Sequence, residues 1–386
     1  MSQESSQELC FQIASRFCFP RLSGTRGEVE AQNLAIKTFQ KLGLNPIEEE
    51  FQASYLMINF LARLALFPWG VFLLLSGIFY QYHYLVSGLV FSFLALGAGM
   101  GFALYAQSSP KFLGWRKKHW SKNIYVCFSP EDFNQDILIL AHYDSKSQSF
   151  PIWLRVLVYY LGGILSLLGN STGIYLFLKI LTRGIFHQWA LAVFIIPALI
   201  DFLPLFNRIG NRSPGAVDNA GAVGVLFSLA ESLKNFPLKK SRVWLVLTGA
   251  EELGLIGSRE FLEKHQRELN PKSTYVINLD GLGGSYKICA LSRLGFPGKS
   301  TSKTLNQKIF QLAEGRALAF KLNKVSLGFS TDAQPFLKNG YQAVSLGEAG
   351  RYIHTYQDSL DKLILQNLAD YQEITQELIL WLDQSQ

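Results

Sequence analysis

Two adjacent carboxylates, Glu251 and Glu252, follow closely on an apolar run, Arg242 to Leu247, that reads as a buried strand. Two acids side by side at a buried strand end repel each other when both are ionised. A metal ion relieves that repulsion. One carboxylate of such a pair can bind metal while its neighbour holds a water and takes its proton. Capping of the following helix is the plainer use of the same pair, because acids suit a helix N-terminus. The other chemistry-bearing residues decide between the two. His142 and Asp144 follow the strand-like run Asp136–Leu140. Asp218 lies among small residues just ahead of a helical pattern, Asp280 closes the run Tyr275–Leu279, and His354 lies in a loop before the last helix. Imidazole and carboxylate are the ligand types that suit zinc.

Something must carry these groups to one place. Strand patterns over 124–128, 136–140, 242–247, 275–280 and 342–346 alternate with helical patterns over 220–234, 255–269, 301–315 and 361–382. An amphipathic helix over 28–42, stopped by Gly43, and a possible edge strand at 46–51 precede them. Strands alternating with helices predict an α/β fold, a mixed, mainly parallel sheet between helices. In such sheets, sites gather just past the carboxyl ends of strands. His142, Glu251, Glu252 and Asp280 all fall at such ends, and Asp218 and His354 fall in loops flanking helices.

The 386 residues are 49% hydrophobic but only 17% charged, a deficit that points to segments avoiding water. No Asp, Glu, Lys or Arg occurs between Arg63 and Lys111. That window accommodates two helices of bilayer length, placed near 58–80 and 84–106, with Gly97 and Gly101 as a small-residue packing face on the second. Two more candidate spans lie near 156–178 and 188–206. The sequon-like Asn170 falls inside the third, where a hydrogen bond between helices is the expected use of its amide. The chain then divides into a catalytic domain at 1–56, 108–152 and 208–386 and two transmembrane hairpins at 57–107 and 153–207. Lys and Arg, notably Arg116, Lys117 and Lys118, cluster on the catalytic side of all four spans, predicting a multi-pass protein with a cytoplasmic catalytic domain. The net charge of +7 and this basic run suit anionic headgroups better than nucleic acid. Met1 to Phe19 lacks the pattern of a secretory signal peptide. Cys10, Cys18, Cys127 and Cys289 form no CxxC pair, so neither a zinc finger nor a disulfide framework is indicated.

His142-Tyr-Asp144, Gly215-Ala-Val-Asp218-Asn219, Glu251-Glu252-Leu-Gly254, Asn278-Leu-Asp280 and His354-Thr-Tyr-Gln-Asp358 together resemble the motifs of the two-zinc exopeptidases of metallopeptidase family 28, the aminopeptidase Y type. The resemblance covers the chain from about residue 123 to the C-terminus well, apart from the hydrophobic insert, and residues 10–51 loosely. It implies two zinc ions per chain, bridged by Asp218. It further implies that His142 and Glu252 complete one site, that Asp280 and His354 complete the other, that Glu251 is the general base and that Asp144 orients His142. Asp332 falls in a loop that resembles another family motif, with no role implied. The expected function is a membrane-anchored zinc aminopeptidase acting on peptides. A glutaminyl cyclase-like acyltransferase and a non-catalytic membrane module are the alternatives.

Overall fold

The computed structural model describes residues 3–55, 62–105, 118–182, 188–295, 298–323, 330–348 and 350–384. The chain forms two compact units, one from residues 1–54, 117–147 and 210–386 and one from 55–116 and 148–209. In chain order the main elements are α1 (Gln3–Phe17), α2 (Arg26–Lys41), β1 (Ile47–Ser54), α3 (Phe67–Gln81), α4 (Leu85–Tyr105), β2 (Lys118–Phe128), β3 (Gln135–His142), α5 (Ile152–Leu181) and α6 (Ala192–Phe202). They continue with α7 (Gly221–Leu233), β4 (Ser241–Thr248), α8 (Ile256–His265), β5 (Thr274–Leu279), β6 (Ile288–Leu291), α9 (Lys303–Gly315), β7 (Phe320–Asn323), α10 (Ala333–Lys338), β8 (Gln342–Leu346) and α11 (Leu365–Gln384).

The first unit is built on an eight-stranded sheet in the order β1-β2-β4-β3-β5-β8-β6-β7. Its centre, β4-β3-β5-β8, is parallel, with Ile139 level with Leu245 on one side and Ile277 on the other. These strands are buried nearly throughout, as expected for parallel strands covered on both faces. Successive side chains point to opposite faces. Leu138, Leu140, Trp244, Val246 and Val276 therefore share one core with Phe261 of α8 and Phe336 of α10. Elsewhere in the unit, α1, α7 and α11 pack on one another, and Phe227 of α7 meets Phe17 and Phe39 at ring separations of 6.1 and 4.5 Å. The result is a mixed, mostly parallel α/β sandwich. β3 lies between β4 and β5, so three strand ends that carry candidate ligands are neighbours.

An ion-pair cluster ties β1 to α8. His265 donates through Nε2 to Glu49 at 3.0 Å and through Nδ1 to Glu268, and Tyr125 donates to Glu49 at 3.0 Å. Burial works to lower the imidazole pKa, but the carboxylates of Glu49 and Glu268 outweigh it and raise it above the usual value. Burial likewise works to raise Glu49, yet hydrogen bonds from His265 and Lys264 hold it below the usual range. A raised histidine stabilises fully below its unfolded pKa of about 6.5 and fades as pH rises through the folded value. A lowered glutamate stabilises fully above about 4.5 and fades as pH falls through its folded value. His265→Gln is therefore expected to cost most between about pH 4.5 and 6.5, roughly 1.5–3 kcal/mol, with the deficit shrinking in alkali. Urea unfolding of both chains at several pH values checks this.

The second unit is helical. Leu66, Trp69, Leu73, Tyr80, Leu176 and Phe194 form its core. Here the structure corrects the expectation of four membrane-spanning helices. Among the described residues, one helix, Ile152–Ile180 in α5, is long and apolar enough to cross a bilayer, with 29 residues and a mean hydropathy of 1.7. Phe67–Gln81, Leu85–Gly101 and Ala192–Phe206 are shorter apolar helices. For α3 and α6 the reason is where the helices end. The 15 residues of α3 rise only about 22 Å, against a hydrocarbon core of about 30 Å. The chain turns at Tyr82, and α6 spans only 11 residues with Pro197 inside it. The multi-pass, cytoplasmic-domain assignment falls with the span count, because it relied on an even number of crossings. Arg116 and Lys117, which entered that argument, lie outside the described residues, as does 324–329 of the Asp332 loop.

Two smaller expectations also change. Among the described residues, added side chains at Gly97 and Gly101 would meet nothing within 4 Å, so no packing face forms there. Gly88 and Gly99 do that work: a Cβ at either would lie 2.8 Å from Tyr80 or 2.7 Å from Trp69 of α3. The Asn170 amide donates at 2.8 Å to Ser166 O, one turn back in its own helix.

Candidate metal centre

Each acid and histidine of the centre is delivered by a distinct local device. His142 is the last residue of β3, level with Thr248 at the end of β4. After β4 the chain makes a tight turn through Gly249, where a Cβ would fall 2.5 Å from Ser121 Oγ and 2.6 Å from the Tyr143 hydroxyl. Ala250 and Leu255 take left-handed conformations, φ 52° and 61°, around a short helical turn at Glu251–Leu253. Non-glycine residues in that region carry strain that surrounding contacts must hold. Asp144 supplies such contacts: its carboxylate accepts the Glu251 N–H at 3.1 Å and the Glu252 N–H at 3.2 Å. Thr248 is in turn held by the buried carboxylate of Asp332, which enters neither ligand cluster.

Asp218 precedes α7 in a loop gripped from two sides. Asp358 accepts the Val217 N–H at 2.8 Å and the Asp218 N–H at 3.2 Å. Asn219 donates to Leu279 O at 3.0 Å and accepts from Gly281 N–H at 3.3 Å, fastening this loop to the end of β5, where Asp280 sits. Arg21 fastens it to the His142 loop. The guanidinium is fully buried and donates to the carbonyls of Tyr143, Phe19, Pro214 and Gly215. His354 has φ 62°.

These devices bring the residues together as two groups sharing Asp218: His142, Asp218 and Asp280, and Asp218, Glu252 and His354. His142 Nε2 lies 3.1 Å from Asp218 Oδ1 and 3.6 Å from Asp280 Oδ1. His354 Nε2 lies 3.0 Å from Asp218 Oδ2 and 3.2 Å from Glu252 Oε2. Donors bound at about 2.0–2.2 Å around a tetrahedral zinc stand roughly 3.3–3.6 Å apart, close to these separations. The donor sets thus fit two zinc ions. The pairing differs from the one the family resemblance implied, where His142 joined Glu252 and Asp280 joined His354. The turn after β4 is the physical reason, since it carries Glu252 toward His354 while Asp280, just past the end of the adjacent β5, stays beside His142.

Glu251 belongs to neither group, but its Oε2 lies 4.0 Å from His142 Nε2. Burial, with the negative charges of Glu252, Asp280 and Asp332, lifts its pKa well above the usual range against the pull of His142. Burial also works to raise Asp218, but His142 and His354 hold it well below the usual range. Two divalent cations would relieve this crowd of acids. Asp144 contacts both His142 and the turn that carries Glu251 and Glu252. His142 Nδ1 lies 3.1 Å from its backbone carbonyl and 3.6 Å from Oδ1, while the carboxylate oxygens bond the Glu251–Glu252 turn.

Several contributors were not singled out from sequence. Asp358 lies in a quoted motif but signals nothing about Asp218. Arg21 lies in a turn-rich stretch, and only tertiary packing reveals its four carbonyl partners. Lys146 is two residues beyond Asp144, and its ammonium lies 2.6 Å from Glu252 Oε2. A cation so close to a set of strand-end acids was the available signal.

The α/β sandwich is the fold of solved zinc aminopeptidases and glutaminyl cyclases to which the chain is similar. The model for peptidase family M28 matches residues 192–379. Over 169 residues the chain is 28% identical to aminopeptidase YwaD of Bacillus subtilis, covering 40% of this chain and 35% of that protein. The chain spans between about a third and a half of the length of the curated relatives it matches. Among solved structures, an aminopeptidase from Aneurinibacillus sp. strain AM-1 superposes with a TM-score of 0.56 at 14% identity, covering 97% of this chain and 93% of that one. A glutaminyl cyclase from an Acidobacteriales bacterium gives the same TM-score at 15% identity, covering 98% and 95%. These structures establish the fold, which aminopeptidases and cyclases share.

Proposed function

We propose that the chain is a zinc-dependent exopeptidase, acting as an aminopeptidase that removes N-terminal residues from peptides. The observation that carries this reading is Asp218 shared between two histidine–carboxylate groups, with a further carboxylate, Glu251, beside them and outside both. The likeness to a protein named as an aminopeptidase agrees with it. His142, Asp218 and Asp280 would hold one zinc, and Asp218, Glu252 and His354 the other. Zinc supplies Lewis-acid polarisation of a carbonyl and acidifies a water molecule. Glu251 accepts the proton of the attacking water and returns it to the leaving amine nitrogen. Asp144 keeps Glu251 in place through the backbone of its turn. Burial of the carboxylates keeps competing water away from them.

A panel of aminoacyl and dipeptide reporters tests the reading. Hydrolysis is expected with free N-termini, lost on chelation and restored by zinc, and absent with N-blocked substrates. A zinc-loaded chain that cleaves none of the free-N-terminal substrates contradicts it. An N-terminal glutaminyl peptide in the panel separates hydrolysis, which releases glutamine, from cyclisation, which leaves a pyroglutamyl end.

Attachment to a lipid bilayer through α5 completes the proposal. The helix is 30 residues long, and only 22% of its most apolar window is buried, whereas the core helix of a globular protein is mostly buried. Ile164, Leu167, Leu168 and Leu178 are each more than half exposed. Retention in the membrane pellet after alkaline carbonate extraction is expected, and release into the supernatant contradicts attachment.

A further inference from the structure

Glu252 is held differently from the other carboxylates of the centre. The Lys146 backbone N–H donates to its Oε1 at 3.2 Å, and the Lys146 ammonium stands 2.6 Å from its Oε2 and 3.3 Å from its carbonyl oxygen. The same Oε2 is the oxygen 3.2 Å from His354 Nε2. Asp280, the corresponding carboxylate of the other group, pairs instead with His142. Lys146 is largely buried, with 11% side-chain exposure, so water screens its charge poorly. An ammonium against a ligand oxygen does two opposed things. It fixes the carboxylate in position, and it repels any cation that the same oxygen takes. Positioning does not depend on the ammonium alone, because the backbone N–H at Oε1 persists whatever the side chain. Repulsion does depend on it.

We infer that Lys146 is an affinity-setting residue: its ammonium holds the zinc affinity of the Asp218–Glu252–His354 group below what those three donors would otherwise give. Occupancy of that group then responds to free zinc through Lys146, while the group at His142 and Asp280 is set independently of it. The inference rests on the two-zinc reading of the centre.

Competition titration of the full-length, zinc-stripped chain against a chromophoric chelator reads both stepwise dissociation constants without using activity. Lys146→Met and Lys146→Gln are each expected to tighten one constant by about 10- to 100-fold, the scale on which groups bonded to ligands tune a metal, and to leave the other within about threefold. Lys146→Arg keeps the charge and is expected to match the wild type. Gln guards against a misfolded Met variant, since it keeps a polar group of similar length. Neither constant tightening in Met or Gln overturns the inference while leaving the two-zinc reading intact. A wild-type chain that binds no zinc overturns that reading, and the inference with it.

Discussion

Glu251→Gln is expected to lower kcat by about 10²- to 10⁴-fold, the usual contribution of a positioned proton acceptor, while the chain still binds zinc. The amide keeps the volume and the backbone contacts to Asp144 but can no longer take a proton. Glu251 lies outside both ligand groups, so metal content should stay at the wild-type value. Glu252→Gln is the contrasting neighbour. It removes an anionic ligand from the group at His354 and should weaken one zinc, because a neutral amide is the poorer donor. Steady-state kinetics with metal analysis of the same samples separates the two. Near-normal turnover in Glu251→Gln would show that another group takes the proton.

Asp218→Asn has the widest expected effect on metal, because Asp218 alone belongs to both groups. Its Oδ1 faces His142 and its Oδ2 faces His354, at 3.1 and 3.0 Å. Both zinc ions should weaken together and turnover should disappear. A ligand that binds only the folded state stabilises it by about 2.7 kcal/mol at 100 times its Kd. The wild type should therefore gain thermal stability on zinc addition, and Asp218→Asn should lose most of that gain. A variant whose melting temperature still climbs with zinc as the wild type's does would mean that Asp218 is not the shared ligand.

Much of the catalytic unit could be read from the residues. The runs ending at His142, Thr248 and Leu279 are buried strands, and the candidate ligands follow their ends because side-chain alternation and glycine-rich turns are local signals. The order of those strands is not local. β3 sits between β4 and β5, and the turn at Gly249–Ala250 sends Glu252 to the His354 side, so the pairing of ligands emerges only from tertiary structure. Arg21, Lys146 and Asp358 were opaque for the same reason, since the partners through which they act on the centre, Tyr143, Glu252 and Val217, lie about 100 or more residues away. The span count failed for another reason. An apolar window shows where charge is missing but not where a helix stops. The helix before Tyr82 begins only at Phe67, and the helix that holds Pro197 has 11 residues, so both are shorter than composition implied.

The central claim is a centre that holds two zinc ions through one shared carboxylate. Metal analysis of the purified full-length chain, dialysed to equilibrium against saturating free zinc and corrected for the zinc of the dialysate, tests it most directly. Two zinc ions per chain are predicted, falling in Asp218→Asn. One ion per chain, or none, contradicts the account.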